Sequence, residues 1–453
     1  MGSLNTLWQV RKLEKAQRRS IHEIERVRAE RFGRILKHAL TNSRFYREYY
    51  GDHGINLDNA HEIPIERIPT IDKNFMMENF DDFVCDPKLK RAELEKFVSD
   101  PAHRCRSYLG RYHVVHTSGS SGTIGLFIYG PGDWDILMAM VLARVTRTRI
   151  NFRRKIRMAY IGATDGNYAG ISLAGYAPRF LYRFLPLHIN SPIEEIVARI
   201  QEFQPHSISG YSSGAYILAK EQLAGRLRIS PKKIVCSADH LTPKIRETIR
   251  RAFGVDPVAF YAASESIAMA AECAAHQGFH LFDDWHVFQL VDKDRNPVPA
   301  GQPGRVILTN LYNYTQPLIR YEMNDVLVLN EEPCACSWPS PTIQSIGGRS
   351  EDFLWFDKPD GTKDFIHPLV MVEFMVLGLR KIQVVQTQRN RLILRSVLHG
   401  DRDVVCERIR RRMHEVLKSK DLQNVVEFDI EIVDRIENDP KTGKYKLIIP
   451  FKP

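Results

Sequence analysis

The run His116-Thr117-Ser118-Gly119-Ser120-Ser121-Gly122-Thr123-Ile124-Gly125 decides how the other residues are read. Hydroxyls and glycines alternate in it without a bulky side chain. Glycine lets backbone approach a ligand closely, and successive N–H groups can form an anion-binding nest. The hydroxyls add donors for phosphate oxygens. A Walker A loop ends in Gly-Lys-Ser/Thr, and this run has no lysine, so it is a different kind of phosphate loop. A flexible Ser/Gly linker is the plain alternative. An apolar, strand-like stretch from Tyr112 to Val115 leads straight into the run and a structured segment follows it, which is poor context for a linker.

Downstream, short apolar runs at 157–162, 207–211, 233–238 and 257–262 alternate with helical stretches at 133–149, 192–204, 214–226 and 242–253. That alternation predicts an α/β fold with a mostly parallel sheet and helices on both faces. Segments 286–292, 304–311 and 318–329 read as further strands of an added antiparallel sheet or barrel. Upstream, residues 9–40 read as one long basic amphipathic helix, with Ile21, Ile24, Val27, Phe32, Ile35 and Leu36 at helical spacing. Residues 340–352 have the Pro/Ser/Gly composition of a hinge or linker. The roughly 100 residues beyond it make a credible small α+β domain. Its expected elements are a helix at about 367–379, a hairpin at 381–387 and 391–398, a basic helix at 402–419 and a strand at 425–434. The expected division is a large domain at 1–349 and a small one at 350–453.

The chain has 453 residues, 43 % hydrophobic and 26 % charged, ordinary for a globular protein. No apolar run approaches the roughly 20 residues that cross a bilayer. The first fifteen residues lack the apolar core of a secretory leader, although Gly2 and Thr6 fit the short pattern for myristoylation. Net charge is +10, from 64 basic and 54 acidic residues, which attracts polyanions. No block of five like charges and no nucleic-acid module is visible, so ATP, coenzyme A or an acidic carrier protein suit the charge as well as nucleic acid does. Seven cysteines, a low and odd count, argue against a disulfide framework and for a reducing, cytoplasmic setting.

Five segments in order give a specific resemblance. Thr117–Gly125 resembles the phosphate loop of the adenylate-forming superfamily of acyl–coenzyme A synthetases, luciferases and peptide adenylation domains. Phe260-Tyr261-Ala262-Ala263-Ser264-Glu265 resembles its Tyr-Gly-x-Thr-Glu motif. Arg320-Tyr321-Glu322-Met323-Asn324-Asp325 resembles the stretch that ends in its ribose-binding aspartate. Gly348-Arg349-Ser350-Glu351-Asp352 resembles its hinge, and Pro440-Lys441-Thr442-Gly443-Lys444 its C-terminal lysine motif. Within the superfamily, the Phe32–Asn79 region and Pro317-Leu318-Ile319-Arg320-Tyr321 are most similar to the phenylacetate–coenzyme A ligase branch. Ala262, Ser264, Asn324 and Glu351 depart from the usual Gly, Thr, Gly and Asp, and none removes a charge the chemistry needs.

The resemblance implies ATP-dependent activation of a carboxylic acid, aromatic by the habit of the branch. An acyl-adenylate forms, pyrophosphate leaves, and coenzyme A takes the acyl group as a thioester. An amine or a carrier-protein thiol is the alternative acceptor. It also implies roles. Thr117, Ser118, Gly119, Ser120, Ser121, Gly122 and Thr123 would hold the β- and γ-phosphates. Tyr261 would stack on adenine, bordered by Ser237, Ala238 and Asp239, with Ala262 and Ser264 alongside. Glu265 would hold Mg²⁺, a hard cation that prefers carboxylate and phosphate oxygens. Asp325 would accept hydrogen bonds from the ribose, with Arg349 nearby, and Lys444 would reach the α-phosphate and the attacking carboxylate. Glu351 would be the hinge about which the small domain rotates. Tyr168, Ala169, Gly170, Tyr211 and Ala263 would line the acid pocket. Read singly, these residues could be core aromatics, salt-bridged carboxylates and an exposed turn lysine. Their joint order outweighs that, and the retention of Glu265, Asp325 and Lys444 argues against a catalytically silent homologue. The oligomeric state stays open, a homodimer included.

A second constellation is Cys273, His280, Cys334 and Cys336, spaced as C-x6-H followed by C-x-C. Thiolate and imidazole suit Zn²⁺, and three cysteines with one histidine would close a structural site. His276 competes as a ligand, and four unrelated reduced residues are the plain alternative. A similar arrangement occurs in parts of the branch.

Overall fold

The computed structural model describes residues 2–17, 19–117, 124–148, 154–239, 241–292, 294–336, 338–347, 354–361, 363–366, 370–371, 374, 376–437 and 446–451. The N-terminal region forms two helices rather than one, Gly2–Ala16 and Ile21–Asn42. Ser20 breaks the run: its hydroxyl accepts from the Glu23 N–H, and the Glu23 carboxylate accepts from the Ser20 N–H at 2.8 Å. This reciprocal cap satisfies two donors that a continuous helix would need to bond otherwise. The first helix is pinned by Asn5 and Thr6, which donate to the Asp135 carboxylate at 2.8 and 2.7 Å.

β1 (His113–His116) and β2 (Leu126–Tyr129) pair as an antiparallel hairpin around the Ser/Gly run. β3 (Ile156–Gly162), β4 (Tyr182–His188), β5 (Ser207–Tyr211), β6 (Lys233–Ser237) and β7 (Val258–Tyr261) then form the parallel half of a large sheet, in the order β7-β6-β5-β3-β4. Their inner stretches, such as Ala159-Tyr160-Ile161 and Ile234-Val235-Cys236, are apolar and buried, as expected of parallel strands covered by helices. The covering helices are punctuated as their sequences require. Thr242 caps Pro243–Phe253 from the front, and Gly254, at φ +66°, closes it.

At β7 the sheet changes sense. β8 (Ala270–Glu272) runs antiparallel to it, followed by β9 (Phe279–Leu281), β10 (His286–Val291), β11 (Pro303–Asn310), β12 (Tyr321–Leu329) and β13 (Thr342–Gly347). The added antiparallel strands therefore continue the parallel sheet, which has 11 strands among the described residues. Residues 342–347, expected as linker, are strand: β13 pairs with β12 and β9, and Thr342 and Ile343 are buried. Thr-Ile-Gln-Ser-Ile-Gly has strand alternation that its small residues disguise. The expected helix at 133–149 begins at Pro131, is α-helical to Met140 and passes into a π turn over Val141–Val145. Inside that turn Arg144, 2 % exposed, makes two bonds of 2.6 and 2.8 Å to Asp284. Burial would raise the Asp284 carboxyl, but Arg144 holds it down to about 2.

The C-terminal region has its own apolar cluster, including Leu354, Phe356, Val384, Leu394, Ile409 and Met413. β14 (Leu354–Asp357) pairs with β15 (Lys363–Ile366). β16 (Leu379–Gln388) and β17 (Arg391–Leu398) form the expected hairpin, flanked in parallel by β18 (Glu427–Ile432) and β19 (Ile448–Ile449). The basic helix is Arg402–Lys418, capped by the Asp401 carboxylate. Of the helix expected at 367–379, only 370–371 is seen as helix, Leu379 opens β16, and 367–369, 372–373 and 375 lie outside the described residues. Lys420, 2 % exposed, links the two regions: its ammonium contacts Asp364 at 3.5 Å and the Ser191 carbonyl at 3.5 Å. Arg412 also crosses, to Asp165 at 3.9 Å.

Candidate active site

Parallel strands collect their following loops at one edge, and ligands of open α/β sheets bind there. Here β3, β5, β6 and β7 end at Gly162, Tyr211, Ser237 and Tyr261. The β1–β2 hairpin brings the two described ends of the run, Thr117 and Gly125, toward the same edge, where the Ser264 hydroxyl reaches the His116 carbonyl. The base of the run is closed by two bonds: the Thr117 N–H donates to the Gly125 carbonyl at 2.9 Å, and the Gly125 N–H donates to the Thr117 hydroxyl at 2.8 Å. Ser118, Gly119, Ser120, Ser121, Gly122 and Thr123 lie outside the described residues, as do Arg349, Glu351 and Lys444.

The expected nucleotide residues converge. The Tyr261 hydroxyl donates to the Asp325 carboxylate at 2.6 Å, across 64 positions of sequence. Tyr129 donates to the Ser264 carbonyl at 2.8 Å, and the Ser264 hydroxyl reaches the His116 carbonyl at 3.4 Å, so the β7 loop is tied to the strand feeding the Ser/Gly run. Glu265 stands between two buried phenols. Burial first, then Tyr312 and Glu265, holds Tyr129 well above its usual range, and burial and Glu265 do the same to Tyr321. This half-buried carboxylate, one residue beyond a loop tied to the hairpin, suits a hard divalent cation shared with phosphate oxygens. Asp239 departs from a simple bordering role. Its carboxylate accepts from the Ser212 and Ser213 N–H groups at 2.5 and 3.0 Å, capping the Ser212–Leu223 helix. Only the backbone of Ser237-Ala238-Asp239 is left to border a ligand, with Ala238 in the left-handed region at φ +70°.

Of the expected acid-pocket residues, Gly170 and Tyr211 are joined through Tyr160 and Gly162, and Tyr168 stands at the start of the same helix as Gly170. Tyr168 precedes the Ala169–Gly175 helix, and its ring lies 4.7 Å from that of His116. Gly170 faces Tyr160, whose hydroxyl would lie 2.5 Å from a Cβ built there. Gly162 is wedged between Tyr160 and Tyr211, and a Cβ there would meet the Tyr160 hydroxyl at 2.7 Å and the Tyr211 ring at 3.0 Å. Gly210 has φ +126°, and a side chain would strike the Ile161 carbonyl at 2.1 Å, so only glycine fits before Tyr211. Ala262 and Ala263 are half-buried on the β7 loop.

Two residues were passed over in the sequence. His116 accepts the Asn167 N–H on Nε2 at 3.1 Å and faces the Thr117 carbonyl with Nδ1 at 3.1 Å. Burial lowers its pKa, and both nitrogens are occupied as in a neutral ring. It welds the hairpin to the loop before Tyr168. Lys73 runs beside the base of the Ser/Gly run, with Cδ 3.2 Å from a Cβ built on Gly125. The run has no lysine, and this one comes from a short helix 52 positions earlier. Its signal was the Ile-Pro-Thr-Ile-Asp-Lys segment, whose charge had no assigned partner.

Away from this edge, Cys273, His280, Cys334 and Cys336 place their ligand atoms within 4.8 Å of one another. Cys273 Sγ lies 3.5 Å from Cys334 Sγ, and Cys336 Sγ 3.2 Å from His280 Nε2. His280 Nδ1 is bonded to the Ser340 carbonyl at 3.0 Å, which turns the Nε2 lone pair toward the thiols. Backbone N–H groups of Ala275 and Trp338 point at Cys273 and Cys336, each at 3.4 Å. Three thiols and one imidazole at this spacing fit a tetrahedral zinc ion. His276 is not in the group. It is engaged by Glu272, Asp256 and Arg246 at 3.5, 3.6 and 3.2 Å.

No family model matches the chain. Among curated proteins, the phenylacetate–coenzyme A ligase of Thermus thermophilus is 29 % identical over 257 residues, 54 % of this chain and 56 % of that enzyme. The match thus spans about half the length of that relative. The Escherichia coli enzyme of the same name is 25 % identical over 76 % of this chain and 75 % of its own. The chain is similar in sequence to phenylacetate–coenzyme A ligases. It shares its fold with 2-hydroxyisobutyryl–coenzyme A ligase, which was solved with 2-HIB-AMP and CoA and superposes with a TM-score of 0.64 at 19 % identity, over 95 % of this chain and 90 % of that one. No helix among the described residues is long and apolar enough to cross a membrane.

Proposed function

We propose that the protein is an AMP-forming acid–thiol ligase. It would activate a small, aromatic carboxylic acid with ATP and pass the acyl group to coenzyme A. The observation that carries this reading is the Tyr261–Asp325 bond of 2.6 Å beside the closed base of the Ser/Gly run. On this reading Tyr261 supplies the aromatic face and Asp325 the ribose acceptor, near the Thr117–Gly125 base from which the phosphate loop springs. Attack of a carboxylate on the α-phosphate is slowed by crowded negative charge, so fixed cations and donors dominate catalysis. The Ser/Gly run grips the β- and γ-phosphates, with Lys73 as the cation its own sequence lacks. Tyr261 and the backbone at 237–239 hold adenine, and Asp325 and Arg349 hold the ribose. Glu265 holds Mg²⁺, which when bound neutralises phosphate charge. Lys444 carries the charge that meets the attacking carboxylate. Tyr168, Ala169, Gly170, Tyr211 and Ala263 form flat walls suited to a ring.

The division at 1–349 and 350–453 is supported by the separate apolar cluster of the C-terminal region. Zn²⁺ at the Cys/His cluster would staple β8, β9 and the 334–336 turn, without a part in the reaction. A cytoplasmic setting suits thiols that are all free.

The test is a library of carboxylic acids screened for pyrophosphate release, with and without coenzyme A. An aryl acid that releases pyrophosphate and yields a thioester is expected. Release that no acid stimulates overturns the reading. Acid-dependent release with transfer only to an amine or a carrier thiol overturns the acceptor alone.

A further inference from the structure

β14 faces two ways. Leu354 and Phe356 are fully buried in the apolar cluster of the C-terminal region. Side chains alternate across a strand, so Trp355 between them points away from that core. Its ring packs instead against the cluster that holds Ile161, Ile208, Tyr211, Ile217 and Leu218, in the parallel half of the large sheet and its covering helices. The backbone of Trp355 stays at home: it pairs with Phe365, and its carbonyl accepts from Gln386 Nε2 at 2.7 Å.

Lys220 of the Ser212–Leu223 helix receives the ring. Its ammonium lies 5.1 Å from the centre of the Trp355 ring and 5.0 Å from that of Tyr216, one turn back on the same helix. Among the described residues Lys220 makes no ion pair, and neighbouring Glu221 is taken by Arg226 at 2.6 Å. Burial lowers the pKa of this half-buried lysine. A half-buried cation without a counter-ion is compensated by aromatic faces, and here one of the two comes from the other region of the chain. Polar contacts across the same junction are long, 3.5 Å from Lys420 to the Ser191 carbonyl and 3.9 Å from Arg412 to Asp165, and fix an orientation loosely.

The receiving helix is also part of the proposed reaction centre. It starts directly after Tyr211, and the Asp239 carboxylate caps it through the Ser212 and Ser213 N–H groups. One element of 12 residues thus holds the 237–239 loop at its front and the Trp355 seat near its end. We propose that Trp355 and Lys220 are a positioning pair: the indole seated on this helix sets the pose in which the C-terminal region meets the reaction centre. The proposal rests on the ligase reading, in which that region carries Lys444 and serves two half-reactions in turn. The pair acts through the pose and not on the substrates. It stabilises one pose over another, so weakening it moves the two half-reactions unequally.

The experiment compares the full chain with Trp355→Ala, Trp355→Phe, Lys220→Glu and Lys220→Arg, with circular dichroism as the check on folding. Acid-dependent ATP–pyrophosphate exchange reads adenylation, and thioester formation from preformed acyl-adenylate in a single turnover reads transfer. The ratio of the two rates should shift at least about fivefold in Trp355→Ala, and in the same direction in Lys220→Glu. Trp355→Phe keeps a ring and Lys220→Arg keeps a cation, so each should restore most of the ratio. An unchanged ratio in the two drastic variants, or conservative variants that are equally impaired, overturns the proposal. A second measurement needs no turnover. The fluorescence difference between wild type and Trp355→Phe isolates Trp355 from the other tryptophans. Acrylamide should quench that component weakly, and more strongly when both proteins also carry Lys220→Glu. A component already open to quencher in the wild type, or equally shielded with Lys220→Glu, overturns the seat. If no acid stimulates exchange in the wild type, the ligase reading fails, and the quenching result alone decides the seat.

Discussion

The edge where β3, β5, β6 and β7 end and the Cys/His cluster between β8, β9 and the 334–336 turn are built on one sheet by opposite rules. At the first, loops leave the sheet, Asp239 caps a helix, and the Tyr261–Asp325 bond joins two loops without closing on one point. At the second, four ligand atoms face one another within 4.8 Å, and their outer partners, Ser340 and two backbone N–H groups, are in place. An open constellation is a place for a ligand that comes and goes. A closed one is a place for an ion that stays. Chemistry and stability should therefore separate cleanly when each is damaged.

The largest separation is expected from Lys444→Ala. Acid-dependent pyrophosphate release should fall at least about 10²–10³-fold, the usual cost of losing a charge that acts in the transition state. The unfolding midpoint should stay within a degree or two of wild type by roughly the scaling for a large protein. Wild-type release in this variant would remove Lys444 from the reaction. Next, Glu351→Pro fixes φ near −65° at the expected hinge. Adenylate formation should persist while transfer to the acceptor is mostly lost, measured by single-turnover assays of each half-reaction. Equal slowing of both would count against two poses.

The reverse pattern is expected at the cluster. Cys334→Ser with Cys336→Ser should abolish zinc, measured by elemental analysis of protein purified without added metal. Thermal stability should drop, with adenylation kinetics at low temperature nearly intact. Zinc content equal to wild type would dismiss the assignment.

A smaller effect follows from buried imidazoles. Burial lowers His113 and His286 to about 4. The unfolded chain takes up protons near 6.5 while these two stay neutral, so stability is full above that pH and is lost as pH falls from 6.5 toward 4. The wholly buried His286 alone should account for on the order of 2 kcal/mol by pH 5. Urea midpoints at pH 7.5 and 5 should differ less in His286→Asn than in wild type, and equal slopes would refute the point. The smallest effect is Tyr261→Phe, which keeps the ring and drops one hydrogen bond. KM for ATP should rise by about threefold to tenfold, the worth of one such bond, with stability unchanged. A loss as large as that of Lys444→Ala would make the hydroxyl part of the chemistry.

The parallel half of the sheet was legible because most of its strands have a short apolar stretch, such as Ile234-Val235-Cys236, separated by helices with clear cap residues, such as Thr242-Pro243 and Gly254. β13 was misread because Ser and Gly in Thr-Ile-Gln-Ser-Ile-Gly look like linker, while what makes it strand is its pairing with β12 and β9. The break at Ser20 was written as Ser-x-x-Glu and hidden by an unbroken helical stripe around it. The motif residues Tyr261 and Asp325 were legible one by one, but their bond was not. His116 and Lys73 were missed because their roles come from tertiary neighbours, as is true of the Arg144–Asp284 pair, 140 positions apart.

Lys420 and Asp364 both belong to the C-terminal region, while the Ser191 carbonyl belongs to the other. Were the small domain to swing away, the ammonium would carry its counter-ion along and exchange one neutral carbonyl for water. The Asp364 counter-charge would stay with the lysine, while the Arg412–Asp165 pair at 3.9 Å would be parted. Burial lowers the pKa of this lysine here, and hydration on departure would raise it again. The contact is thus a detachable fitting rather than a weld, with a proton affinity that reports whether it is engaged.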